Sequence, residues 1–94
     1  MPKYVIERNV PGVGQSPTAD YQSMTAKSNE VLRELGPDVQ WVQSYIAADK
    51  IFCVYNAKNP DIVREHARLA GFPADAIHEV KAVLDPVSAE RRTV

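Results

Sequence analysis

Four short runs of the chain are rich in β-branched and aromatic residues, and two longer stretches carry hydrophobic residues at helical spacing. Runs of the first kind, bounded by turn-forming residues, are typical of strands, and spacings of three and four residues are typical of amphipathic helices. The predicted strands are residues 3–8, 40–47, 50–56 and 77–84. The predicted helices are residues 17–35 and 60–70.

The residues at the helix ends support these bounds. Each helix is preceded by a serine or asparagine and begins with a proline, both of which favour a helix start, and is followed by a glycine, which favours a helix end. They are Ser16, Pro17 and Gly36 for the first helix, and Asn59, Pro60 and Gly71 for the second. The element order β-α-β-β-α-β predicts an α+β, ferredoxin-like fold, with two helices on one face of a four-stranded antiparallel sheet.

The other face of this sheet is predicted to be apolar and uncovered. A tight turn at Ala48 and Asp49 would join the second and third strands and set their register. That register puts Trp41, Tyr45 and Phe52 on one face, which we expect to be the open one. Because an apolar patch of this kind seldom stays in water, the sequence predicts a homodimer through the open sheet face.

Length and charge exclude several classes of protein. The 94 residues fit one domain, which we assign to residues 1–86, followed by a polar C-terminal tail at residues 87–94. A net charge of -1 gives no reason to expect nucleic acid or an anionic membrane as a partner. No apolar run is long enough for a membrane span, and a single cysteine excludes a disulfide framework. We therefore expect a cytoplasmic protein.

Motifs for catalysis or phosphate binding are incomplete. Gly12 and Gly14 lie between a strand and a helix, but Pro17 replaces the third glycine of a dinucleotide-binding loop, so they predict a loop with unusual dihedral angles. Cys53 and His66 would both project between the sheet and the second helix, as a nucleophile and base could. No third residue orients them. The sequence therefore favours a non-enzymatic protein while leaving an enzyme open.

Metal binding is suggested by the histidines. His66 lies on the inner stripe of the second helix, where packing alone would select an aliphatic residue. His78 begins the last strand, and the topology brings it to the sheet edge that carries Glu7 and Asn9. Imidazole and carboxylate groups are donors that borderline divalent metals accept. The spacing of these residues matches no established metal motif.

Three long blocks of sequence resemble a family of small ferredoxin-like bacterial proteins, a domain of unknown function that includes a nickel-binding protein from Streptomyces. The resemblance covers residues 3–86, and its blocks are YVIERNVPGVG, LGPDVQWVQSYIAADKIFCVYNA and VREHARLAGFPADAIHEV. It implies a dimer and nickel(II) binding, with His66, Cys53 and Glu7 at matching positions. Gln43 stands where that family often has a histidine, and glutamine is the poorer nickel ligand.

Two functions follow as hypotheses. The first is a dimeric nickel(II)-binding protein whose donors are His66, Glu7, Cys53 and Gln43. The alternative is a protein of the dimeric α/β-barrel kind that binds a small organic ligand, or acts on it as an enzyme, without a metal.

Overall fold

Two helices and a four-stranded antiparallel sheet make up the fold, which confirms the predicted ferredoxin-like architecture. The computed structural model describes residues 1–90. The sheet order is β2-β3-β1-β4. The elements are β1 (Lys3–Asn9), α1 (Thr18–Leu35), β2 (Val39–Ile46), β3 (Lys50–Ala57), α2 (Pro60–Ala70) and β4 (Ala76–Glu79), with short 3-10 turns at Val13–Gln15 and Pro86–Ala89.

One of the two predicted N-terminal helix caps is correct. Asn59 caps α2, since its side-chain oxygen accepts a hydrogen bond from the Ile62 backbone N–H at 3.0 Å. Ser16 does not cap α1 as predicted, because its own N–H donates to Val13 and it ends the first 3-10 turn in an extended conformation. Pro17 takes the capping position, and α1 starts at Thr18.

A β-bulge changes the predicted face of the tryptophan. Trp41 lies opposite Tyr55 and Gln43 lies opposite Val54, so Val42 is an extra residue in β2. One extra residue reverses the sheet face to which all preceding residues of the strand point. The placement of Trp41 on the open face was therefore wrong: Trp41 packs against the core beneath the helices.

The last strand is shorter than predicted. β4 covers Ala76–Glu79, and its pairing with β1 ends where the Val80 N–H donates to the Lys3 carbonyl at 2.8 Å. Beyond this point β1 is preceded by Pro2, which has no N–H for a further ladder bond. The predicted strand residues Val83 and Leu84 are instead 66% and 81% exposed. The predicted tail starts within the second 3-10 turn and continues outside the described residues.

The core lies between the sheet and the helices, on the side that we call the helix side. On β1, Tyr4, Ile6 and Arg8 point to the helix side, while the residues between them point to the open face. The glycine loop packs against the β2–β3 turn: Gly12 has φ +75°, and a Cβ atom on Gly14 would lie 2.7 Å from the Ala47 carbonyl oxygen. Within residues 1–90, neither helix has the length and apolar character needed to cross a bilayer.

Candidate functional site

A cavity of about 450 Å³ opens between the sheet and α1, and we call it the helix-side cavity. Strands β1, β2 and β3 form its floor, and the loop after α2 closes one end. Its walls are mostly apolar. The polar side chains among the described lining residues are Arg8, Tyr21, Thr25, Ser28, Trp41, Ser44, Cys53 and Tyr55.

Arg8 is a buried cation on the floor of this cavity, with only 2% of its surface exposed. Its Nη1 donates to the Pro73 carbonyl at 2.5 Å, its Nη2 to the Tyr55 hydroxyl at 3.3 Å and its Nε to Cys53 Sγ at 3.5 Å. The guanidinium also lies 5.5 Å from the centre of the Phe72 ring. None of the ion pairs within residues 1–90 includes Arg8.

His66 lies on the buried side of α2 and has no exposed surface. Its Nε2 is 3.0 Å from the Ser28 hydroxyl, and its ring centre is 5.3 Å from that of Tyr55. Its Nδ1 has no hydrogen-bond partner among the described residues. Burial and then the nearby charge of Arg8 lower the pKa of His66, so its imidazole is neutral at pH 7.

Tyr55 is another titratable group beside Arg8. Burial raises the pKa of Tyr55 to about 12, although the guanidinium of Arg8 opposes part of this shift. The phenol is therefore protonated at neutral pH. Both Tyr55 and His66 are thus uncharged neighbours that do not balance the charge of Arg8.

The four predicted metal ligands are divided between the two faces of the sheet. His66 and Cys53 lie on the helix side, whereas Glu7 and Gln43 lie on the open face. In the part of the chain that the structure describes, no three His, Cys, Asp or Glu side chains form a group that could hold a metal ion. The four residues therefore do not make one site within a single chain.

The helix-side pair does not fit a metal cation. The guanidinium of Arg8 donates a hydrogen bond to Cys53 Sγ, and its charge helps to lower the pKa of His66. A divalent ion bound by Cys53 and His66 would lie close to this fixed positive charge, and like charges in a buried site repel strongly.

The open face offers a different pair of donors. Glu7 on β1 lies opposite Ala76 on β4, and His78 lies two residues further along that strand. Diagonal neighbours of this kind have side chains on the same face, about 7–8 Å apart. His78 was predicted at the sheet edge that carries Glu7 and Asn9, but it lies opposite Val5, on the same face as Glu7 and away from Asn9. Asp75 lies closer to Asn9, and its carboxylate accepts a hydrogen bond from the Asn9 backbone N–H at 2.6 Å.

Glu7 and Gln43, the two predicted ligands on the open face, each have a partner within the chain. The Glu7 carboxylate accepts a hydrogen bond from Lys50 Nζ at 2.7 Å, in a partly exposed ion pair. The Gln43 amide donates to the Tyr45 hydroxyl. Since three strand spacings of about 4.8 Å separate Gln43 on β2 from His78 on β4, these two side chains cannot share an ion within one chain.

Sequence reasoning missed Arg8 as a functional residue. The sequence indicates its position, because alternate residues of a strand share a face and Arg8 follows the apolar Tyr4 and Ile6 in this alternation. A charged residue in register with a buried face is uncommon and requires an explanation.

Comparison with known proteins assigns the family and supports the fold. The chain is similar in structure to SCO4226 from Streptomyces coelicolor A3(2), with a TM-score of 0.73 and 19% sequence identity over 87% of this chain and 99% of that one. No curated protein matches the chain. The profile of the nickel responsive protein SCO4226-like family matches residues 4–80. Since this match spans most of the chain, the protein belongs to the SCO4226-like family.

Proposed function

We propose that the protein is a homodimer that binds nickel(II) through side chains of its open sheet face. The placement of Glu7 and His78 on that face carries the proposal, because carboxylate and imidazole are donors that nickel(II) accepts. The description of the family as nickel responsive supports the choice of metal.

A second copy of the chain would complete the coordination. One chain supplies Glu7 and His78 as neighbouring donors, which leaves most of the coordination sphere to other groups. In a two-fold symmetric dimer, the same patch of each subunit meets its copy. Two open faces packed together would therefore bring a second carboxylate and imidazole toward the ion.

The exposed apolar surface supports dimerisation. Tyr45 is 56% exposed on the open face, beside the partly exposed Phe52 and Val54. Beyond β4, Val83 and Leu84 extend from the domain without burial. The Cα radius of gyration is 14.8 Å, whereas a compact domain of this length has about 12 Å. A partner subunit would cover both the face and the C-terminal segment.

Calorimetric titration of chelator-treated protein with nickel chloride tests the proposal. We expect wild type to bind, and Glu7→Gln and His78→Gln each to weaken binding by at least about tenfold. Cys53→Ser is the matched control, because Cys53 lies on the opposite side of the sheet. Absence of binding by wild type, or loss of binding only in Cys53→Ser, would exclude the open-face site.

A further inference from the structure

Arg8 presents an unbalanced charge at the floor of the helix-side cavity. It is the one charged side chain among the described lining residues, and its hydrogen-bond acceptors are a carbonyl, a phenol and a sulfur atom. An arginine side chain has five N–H groups, and these bonds use three of them. Burial of a cation without an anionic partner is costly, so a group that balances it has a large advantage in binding.

The volume and walls of the cavity restrict the size of the group that could balance Arg8. Pockets for small molecules commonly occupy about 300–1,000 Å³ and combine apolar walls with a few polar groups that orient the ligand. The helix-side cavity, at about 450 Å³, lies in this range. Its apolar walls include Val10, Met24, Ile51 and Phe72, together with the ring of Trp41, whose indole N–H donates to the Ser44 hydroxyl.

We infer that the helix-side cavity binds a small monocarboxylic acid with an apolar body, whose carboxylate pairs with Arg8. The planar guanidinium matches the two oxygens of a carboxylate. The alkyl or aryl body of the acid lies among the apolar walls. This site is separate from the proposed nickel site and does not depend on it.

Other ligand classes fit less well. A metal cation would be repelled by Arg8, and a neutral molecule would leave the guanidinium unbalanced. A phosphate ester carries close to two negative charges, and Arg8 is the single cationic side chain that the described lining offers. A singly charged acid matches both the charge and the apolar lining.

Trp41 provides a direct readout, because it is the single tryptophan of the chain and lines the cavity. The probes are phenylacetate and octanoate, each compared with its neutral amide, phenylacetamide and octanamide, with a chelator present throughout. Binding is measured by Trp41 emission and by calorimetry. We expect the acids to bind with dissociation constants of about 1 mM or lower, and the amides to bind at least about tenfold more weakly.

Two variants assign the site. Arg8→Met removes the charge and keeps the apolar part of the side chain, and it should weaken acid binding at least about tenfold. Thr25→Phe fills the cavity from α1 and should weaken binding of acid and amide alike. Arg33→Met, at an exposed position near the end of α1, is the matched control and should bind as wild type does.

Equal affinity for acid and amide in the wild type would overturn the inference, whether or not Arg8→Met folds. Unchanged acid binding by folded Arg8→Met would overturn it too. The same holds if neither acid produces a change in emission or heat at concentrations up to about 10 mM. Every titration contains chelator, so these results test acid binding whether or not the protein binds nickel.

Discussion

Acidification should destabilise this protein through His66. The side chain is fully buried, and Arg8 from β1, Tyr55 from β3 and Ser28 from α1 surround it. Its pKa is lowered in the folded state, first by burial and then by the charge of Arg8. In the unfolded chain the imidazole has its ordinary pKa, about 6.5.

The sign of the effect follows from these two states. As the pH falls below about 6.5, the unfolded chain binds a proton that folded His66 does not, so the free energy of unfolding decreases. The decrease approaches about 1.4 kcal/mol per pH unit and stops once the pH is below the lowered pKa of the folded state. Above about pH 7 this contribution is fully present and constant.

Urea unfolding of wild type and His66→Gln at about pH 7.5, 6.5 and 5.5 measures this contribution. Glutamine does not titrate and keeps a side-chain nitrogen that can reach Ser28. Between about pH 6.5 and 5.5, wild type should lose up to about 1 kcal/mol more than the variant, a difference of several degrees in Tm. Parallel stability curves would refute the reasoning, as would NMR titration of His66 in the folded protein near its ordinary pKa.

Three further predictions concern the open face and the helix caps. Phe52→Lys should convert the proposed dimer to monomer, because it replaces an apolar side chain of the open face with a charged one; a dimeric mass by light scattering for this variant would contradict the proposed interface. Lys50→Met should strengthen nickel binding in calorimetry, because it frees the Glu7 carboxylate from its ion pair; equal or weaker binding would argue against Glu7 as a ligand. Asn59→Ala should lower the free energy of unfolding by about 1 kcal/mol in urea titrations, whereas Ser16→Ala should change it by less than about 0.5 kcal/mol.

The fold could be predicted from the sequence because its signals are local. The asparagine, proline and glycine around α2 each act on the neighbouring backbone, and the structure shows the predicted cap at Asn59. The face of Trp41 could not be predicted in this way. Its position depends on the extra residue Val42, and no glycine or proline in β2 marks the bulge.

The candidate site was harder to predict because it depends on which side of the sheet each residue faces. Glu7 and Arg8 are neighbours in sequence, yet they point to opposite faces of β1. Chemical type alone predicts Glu7 and His66 as ligands of one ion, but they lie on opposite sides of the sheet. Pairing of β1 with β4 supplies the missing information, since it brings His78 to the open face beside Glu7.

Charge gives the two sides of the sheet different ligand preferences. On the helix side, Arg8 lies among neutral Tyr55 and His66 and favours an anion. On the open face, the carboxylate of Glu7 favours a cation. Glu7 and Arg8 are adjacent on β1, so the two proposed sites share one strand although they lie on opposite faces of the sheet. Titration of the proposed acid with and without nickel therefore measures whether the two sites are independent, because any effect of nickel on the affinity for the acid must equal the effect of the acid on the affinity for nickel.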